Sequence, residues 1–447
     1  MTDPAPAATI PFGEALRFWL KLGFISFGGP AGQIAIMHAE LVERRRWISE
    51  RRFVHALNYC MLLPGPEAQQ LATYLGWLMH RTAGGLLAGA LFVLPSLVLL
   101  IALSWLYLAW GDLPAVSGVL AGIKPAVVAI VAAAGWRIAS RTLRHPLPWA
   151  IAIAAFVAIT IADLPFPAVV ASAALAGALG GRLVPSAFGG AATAHGAAAA
   201  AGAAPALIDD HTPPPDHARF SRARCVAVAL AGLACWALLY GALKASATGP
   251  LLTDMAWFFT KAALLTFGGA YAVLPYVYQG AVEHFGWLTG PQMIDGLALG
   301  ETTPGPLIMV VAFVGFVGGW TLQAFGPDAP AAAGIAAAVV ATVFTFLPSF
   351  VFILAGGPLV ESTRGDLRVA APLAGISAAV VGVIAALAVF FAGHVLWPDG
   401  LRGRFDTIAA AIGVAAAVAL IRFKAGVVPV ILACGALGLV LRWSGAY

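Results

Sequence analysis

The sequence predicts an all-α polytopic membrane protein, built as two homologous halves in inverted orientation with broken or re-entrant helices. Three observations lead there. The composition is too apolar for a soluble surface. One set of helix-breaking residues is written twice at a constant spacing. Basic residues crowd some loops and are missing from others.

Of the 447 residues, 61% are hydrophobic and 10% are charged. So little polar surface cannot cover a chain of this size in water, and most of the surface must face lipid. A hydrocarbon core about 30 Å thick takes about 20 apolar residues per helix. Suitable stretches run over 85–109, 115–136, 147–162, 165–181, 225–243, 330–356, 371–393, 405–421 and 426–441. Alternation at period two is absent, so helices rather than a barrel satisfy the backbone. The start, MTDPAPAATIPFGEALRF, has no basic region followed by an apolar core, and no signal peptide is expected. Cys60, Cys225, Cys235 and Cys434 lie in apolar segments without CxxC spacing and read as small hydrophobes. The net charge of +5 comes from loops that set orientation, so no nucleic-acid partner is expected.

The repeat is read from ordered matches. Lys21, Phe27-Gly28-Gly29, Glu43, Trp47 and Pro64-Gly65-Pro66 recur 240 residues later as Lys261, Phe267-Gly268-Gly269, Glu283, Trp287 and Pro304-Gly305-Pro306. Farther on, Leu-Pro-Ser at 94–96 recurs at 347–349 and Ala-Gly-Ile at 121–123 recurs at 374–376, an offset of 253, so 13 residues are inserted in between. The chain divides into a first repeat over 1–181, a flexible cytoplasmic linker over 182–222, a connecting transmembrane helix over 223–247 and a second, inverted repeat over 248–447. The linker is rich in Ala, Gly and Pro and holds no persistent apolar face. Asp209, Asp210, His211, Asp216 and His217 fall in this setting and read as a solvated tail rather than a metal site.

Inversion is read from charge. Residues 40–52 carry five arginines, and the equivalent 281–291 carries no Lys or Arg. Arginines at 137, 141 and 144, at 182, 219, 222 and 224, and at 364 and 368 mark further cytoplasmic loops, whereas 110–114, 162–166, 246–256 and 323–331 carry no basic residue. Arg402 and Arg404 run against this pattern. An even number of crossings per repeat plus one connecting helix turns the second copy over. Residues 53–79 join two basic segments, which predicts a hairpin broken at Pro64-Gly65-Pro66, and 14–40 can bend likewise at Gly28-Gly29-Pro30. The segments 14–40 and 53–79 are left open between crossing and re-entry.

Irregular backbone at membrane depth is tolerated only inside protein or beside a watery cavity, so the breaks mark the candidate site. Half-helices that begin after a break point amides and a positive dipole end inward, where anions bind. Lys21 and Lys261, each in an apolar helix before a break, extend this to an anion site. Glu67, Gln70 and Tyr74 share one helical face with Gln69 beside them, and Glu301 precedes the second Pro-Gly-Pro. Glu67 and Glu301 are the candidates for proton coupling. Lys124 has Ser377 opposite it in the second copy, so symmetry supports it less. The nine histidines are scattered and no HExxH or nucleotide-binding loop occurs, so no enzyme, cofactor or metal is expected.

The segments KLGFISFGGPAGQIAIMHAELVERRRWIS and LLPGPEAQQLATYLGW, with TFGGAYAVLPYV and WLTGPQMIDGLALGETTPGP in the second half, resemble the chromate ion transporter family in its long two-domain form. The resemblance implies export of chromate from the cytoplasm across a bacterial inner membrane, driven by the proton-motive force or by anion exchange, with sulfate as a mimic. Family motif positions fall on Phe27, Gly28, Gly29, Pro30, Trp47, Pro64, Gly65, Pro66, Glu67 and Gln70. In the second copy they fall on Phe267, Gly268, Gly269, Trp287, Pro304, Gly305 and Pro306. Ala270 departs from Pro30 of the first copy. The partners expected are a chromate- or sulfate-like anion and the lipid bilayer, with room for a homodimer. A channel, or a transporter of another small anion, is the alternative.

Overall fold

A computed structural model describes residues 10–27, 29–111, 113–162, 164–184, 187, 206–210, 212, 215–246, 250–267, 269–362, 370–400 and 402–445. Among the described residues every element is helical except one isolated bridge between Ile48 and Ile208. The first half runs α1 (Phe12–Ile25), α2 (Gly29–His38) with a π-helical turn (Ala39–Arg44), α3 (Glu50–Cys60), α4 (Glu67–Trp110), α5 (Pro114–Thr142), α6 (Pro146–Thr160) and α7 (Phe166–Leu183). After α8 (Arg222–Ala245) the order repeats. It runs α9 (Pro250–Leu265), α10 (Ala270–Tyr278) with a π-helical turn (Gln279–His284), and α11 (Gly290–Thr302). A 3-10 turn (Leu307–Met309) leads into α12 (Val310–Thr321), followed by α13 (Pro330–Ser362), α14 (Ala370–Leu396), α15 (Thr407–Ile421) and α16 (Val427–Trp443). The apolar stretches of the sequence all fold as helices, and six of these are long and apolar enough to cross a membrane.

Local chemistry sets the helix starts. Ser49 and Thr289, one repeat apart, cap α3 and α11 by accepting the amides of Arg52 and Gln292, and Thr289 completes a capping box. Prolines occupy the first turns of α5, α6, α7 and α11, where no amide is needed.

Helix α4 is two helices joined at His80 and Arg81, the latter with φ +56°. The chain folds back there. Gly76 lies against Gly84 and Ala88, and Gly85 against Thr73 and Trp77, so 67–79 runs antiparallel beside 82–110. The second half makes the same reversal between α12 and α13, where Gly315 and Gly319 pack on Ala337 and Ala333. The 13 inserted residues therefore belong to the α12–α13 connection and its flanks.

Each half begins with two helical hairpins that return to their starting end. The sequence left these segments open between crossing and re-entry, and the structure folds them as hairpins. Arg45 donates to Glu14 at 2.8 Å, His80 donates to the Ile10 carbonyl at 2.9 Å, and His38 lies 2.6 Å from Glu50. These contacts gather the start of α1, the α2–α3 corner and the end of 67–79 at one place. In the second half Phe258 stacks on Tyr276 and touches Phe285 and Trp287, and Thr321 donates to the Trp287 carbonyl at 3.4 Å. The first corner adjoins the start of 82–110. At the other end of that helix, the Tyr107 hydroxyl donates to Asp295 near the start of α11 at 3.0 Å. At 1.5 Å per residue, 82–110 extends about 43 Å, more than a hydrocarbon core of about 30 Å.

Helix α8 has no buried residue and lies peripherally, with Trp236 donating to Thr260 of α9 at 2.9 Å and stacking on Tyr240. The later helices pack through small residues. An added Cβ at Gly122 of α5 would lie 2.1 Å from the Cys434 carbonyl oxygen of α16, and Gly177 of α7 faces Gly375 of α14. Close backbone approach supplies dispersion contacts in lipid, where hydrophobic burial gives no drive.

Within 182–222, read from the sequence as a flexible linker, residues 206–210, 212 and 215–218 are docked on the first half. Asp209, Asp210 and His217 are hydrogen-bonded rather than part of a solvated tail. The Ile208 amide donates to the Trp47 carbonyl at 2.9 Å, and the Ser49 amide donates to the Ile208 carbonyl at 3.1 Å. The Ser49 hydroxyl donates to Asp210 at 2.6 Å, Arg52 donates to the Thr212 carbonyl, and His217 donates to the Trp77 carbonyl at 2.9 Å. A segment without an apolar face is held here by backbone pairing, which composition does not reveal. His211, residues 188–205, and the arginines at 364 and 368 lie outside the described residues.

Candidate functional site

The helix breaks meet halfway along the long helices. The Gly65 amide donates to the Thr266 carbonyl at 2.7 Å, and the Gly305 amide donates to the Ser26 carbonyl at 2.8 Å. Residues 65 and 305 are one repeat apart, as are 26 and 266, so one contact is made twice in reciprocal form. Such reciprocity is the mark of a two-fold relation between the partners. It extends to the serines of the two Leu-Pro-Ser triplets. An added Cβ at Gly65 would lie 2.3 Å from Ser349 Oγ, and one at Gly305 would lie 2.7 Å from Ser96 Cβ. Ser96 stands midway along 82–110, about 21 Å from either end.

The breaks follow from their residues. Prolines on both sides remove amides and oppose a continuing helix. Gly65 and Gly305 have φ of +123° and +112°, a region open to glycine. Ser26 and Thr266 are buried, and their hydroxyls turn back to the Leu22 and Ala262 carbonyls at 2.6 and 2.7 Å. Their own carbonyls are left to receive Gly305 and Gly65. Helices α2, α4, α10 and the 307–321 segment all start beside these breaks, where first-turn amides lack intrahelical partners.

Three carboxamides line the junction from the first half. Gln33 donates to the Ser26 and Gly305 carbonyls, Gln70 to the Pro64 carbonyl at 2.7 Å and to Ser349 Oγ at 3.3 Å, and Gln69 to Thr73 Oγ1 at 3.0 Å. All three side chains are buried. Their Oε1 atoms and Ser96 Oγ have no hydrogen-bond partner among the described residues. Buried polar atoms without partners are rare and mark places where water, an ion or a ligand belongs. The repeat partners of Gln33 and Gln70 are Val273 and Val310, so this polar lining is asymmetric.

The two candidate carboxylates border one helix start. Glu67 in the first turn of α4 faces Gly269, where an added Cβ would lie 3.6 Å from Oε1. Glu301 in the last turn of α11 accepts the Tyr271 hydroxyl. Gly269 and Tyr271 flank Ala270, the first residue of α10.

The lysines sit differently. Lys21 is exposed on α1. Burial pushes the Glu40 carboxyl up, but Arg44 at 2.6 Å, with Lys21 and Arg45, brings it below its ordinary value. Lys261 is half-buried, its ammonium 5.7 Å from the centre of the Trp257 ring. Phe27 is exposed, Pro30 and Phe267 are half-buried, and Gly28 and Gly268 lie outside the described residues. Pro66, Pro304 and Pro306 are buried at the junction and Pro64 is half-buried.

Sequence reasoning missed Gln33, although a lone carboxamide four residues past the Gly29 break of α2 was a visible signal. Ser96 and Ser349 were read as repeat markers only. Asp295 was also passed over, although a single acid stands in the apolar MIDGLALG. The structure joins it to Lys124.

Residues 13–178 and 253–439 match the family model described as chromate transporter. A chromate transport protein of Pseudomonas aeruginosa is 34% identical over 392 residues, covering 86% of this chain and 83% of its own. A chromate transport protein of Cupriavidus metallidurans is 28% identical over 432 residues, covering 96% of this chain and 93% of its own. An uncharacterized transporter of Methanocaldococcus jannaschii is 22% identical over 379 residues, covering 85% and 84%. No solved structure matches this chain.

Proposed function

This chain belongs to the chromate transporter family, and on that premise we propose that it is a secondary transporter exporting chromate from the cytoplasm across a bacterial inner membrane. The carrying observation is the junction, where four helix starts, three buried carboxamides and the Ser96 hydroxyl converge halfway along 82–110. Transporters built from repeats place substrate at such mid-depth breaks. A tetrahedral dianion presents four acceptor oxygens to helix-start amides and a hydroxyl, and sulfate competes by sharing that shape and charge. The residues at 27, 29–30, 64–66, 267, 269 and 304–306, with Gln70, form the lining, and Lys21 and Lys261 attract the anion from the approaches.

Inversion of the repeats, 1–181 against 248–447, is supported by the placement of the α2–α3 and α10–α11 corners at opposite ends of 82–110. It agrees with five arginines in 40–52 against none in 281–291. Two re-entrant hairpins and four spans return the first half to its starting side, and α8 turns the second half over.

The membrane potential, negative inside, favours export of a dianion by about 2.3 kcal/mol per charge at 100 mV. Glu67 and Glu301 carry the substrate's own sign beside it. One of them takes up a proton as the site empties or fills, which couples flux to the proton gradient.

Uptake of radioactive chromate into inverted vesicles, with and without an imposed pH gradient and with sulfate as competitor, tests the reading. Gradient-dependent, sulfate-inhibited uptake is expected. Absence of uptake by folded protein removes chromate as substrate, and uptake indifferent to protons and to counter-anions assigns a channel instead.

A further inference from the structure

A second charged group lies away from the junction, at the end of the bundle where α4 stops and α5 and α11 begin. Lys124 Nζ stands 3.4 Å from Asp295 Oδ2, and the Tyr107 hydroxyl donates to the same oxygen at 3.0 Å. The other oxygen of Asp295, Oδ1, is buried without a hydrogen-bond partner among the described residues. Both residues line a cavity of about 600 Å³, shared with His394, Gln292 and Asp406. That volume lies within the range of small-molecule sites and has ample room for a tetrahedral oxyanion.

Accessibility decides which charge the cavity offers. The Lys124 side chain is 32% exposed and that of Asp295 only 3%. The ammonium faces the space, and the carboxylate stands behind it. By the offsets that align the repeats, Asp295 corresponds to His55 and Lys124 to Ser377, so the pair exists at one end of the molecule only. The shared architecture does not require it. Apolar residues in place of a buried ion pair are often neutral or stabilising, so stability gives no reason for a lysine inside apolar α5.

We propose that this cavity is a second oxyanion site, in which Lys124 is the anion contact and Asp295 its resident occupant, displaced when a divalent tetrahedral oxyanion arrives. The inference rests on the transport reading for its purpose. A vestibule on an export path must hold its anion weakly, because tight binding there stops conduction. An internal carboxylate competing for the ammonium gives that weakness. Tyr107 holds the carboxylate, and Asp406 adds a second acid to the lining that weakens the hold further.

Sulfate binding to purified, detergent-solubilised protein by calorimetry is the test. Asp295→Asn preserves shape and frees the ammonium, and it is expected to bind sulfate about tenfold more tightly, the scale of one hydrogen bond to a charged group. Adding Lys124→Gln returns affinity to the wild-type value, and adding Lys124→Arg instead keeps the gain. Asp295→Ser, smaller and equally uncharged, is read in the same way if Asp295→Asn does not fold. Unchanged affinity in the folded Asp295 variant, or a gain that survives Lys124→Gln, overturns the proposal. Chromate flux is read separately. Absent flux with the Asp295 effect intact removes the transport reading and leaves this site standing.

Discussion

The Gly65 amide and the Thr266 carbonyl oxygen lie 2.7 Å apart and join the Pro-Gly-Pro break of one repeat to the Phe-Gly-Gly break of the other. The copy of this bond, from Gly305 to Ser26, measures 2.8 Å. Each repeat therefore completes its broken helices with backbone groups of its partner. The junction depends on both halves at once.

Gly65→Ala tests that dependence. Its Cβ would fall 2.3 Å from Ser349 Oγ and 2.6 Å from Gln70 Nε2, at φ +123°. Backbone strain of this kind costs about 1–3 kcal/mol. A lowered melting temperature and loss of chromate flux are expected, and Gly305→Ala should behave alike. Full activity in either variant would show that the junction tolerates side chains and is not tightly closed.

Glu67→Gln and Glu301→Gln address protons. An ionised carboxylate opposes the dianion, so wild-type KM for chromate should fall as pH falls and both groups become neutral. Each Gln variant should show a flatter pH profile with KM near the acidic limit of the wild type. A pH profile unchanged in both variants, measured in vesicles, would remove the coupling role.

Lys21→Ala and Lys261→Ala separate attraction from binding. With Lys21 exposed and Lys261 against Trp257, each substitution should raise KM severalfold, on the order of 1 kcal/mol for a screened charge, and leave kcat near wild type. The effect should shrink at high ionic strength. A collapse of kcat at saturating chromate would place the lysine within the binding site itself.

Ile208→Pro examines the docked segment. It removes the amide that meets the Trp47 carbonyl at 2.9 Å. One lost hydrogen bond is worth about 0.5–1.5 kcal/mol, and Asp210→Ala should cost a similar amount through Ser49. Melting curves of the two variants that overlay the wild type would mean the segment adds no stability.

Much of this protein could be read from its chain, for reasons that vary by residue. The helices over 85–109 or 371–393 were legible because lipid demands long apolar runs whatever their neighbours. Pro64-Gly65-Pro66 announced a break because its backbone chemistry is local. Gln33 was visible as a lone carboxamide past a break, but its partners were not, since they are Ser26 and Gly305, the latter 272 residues away. Asp295 stood out as a lone acid in the same way, and only its partners Lys124 and Tyr107, in other helices, were hidden.

The sequence alone determined an all-helical membrane protein of two related halves, their breaks and the family to which it belongs, all properties carried by composition, spacing and local backbone preference. The tertiary structure alone decided that α1 with α2, and α3 with 67–79, fold back as hairpins, that 206–210, 212 and 215–218 dock on the first corner, that the four breaks close on one another, and that Lys124 finds Asp295. Those are contacts between distant segments. Which amide meets which carbonyl is settled by packing, and no single stretch of chain encodes it.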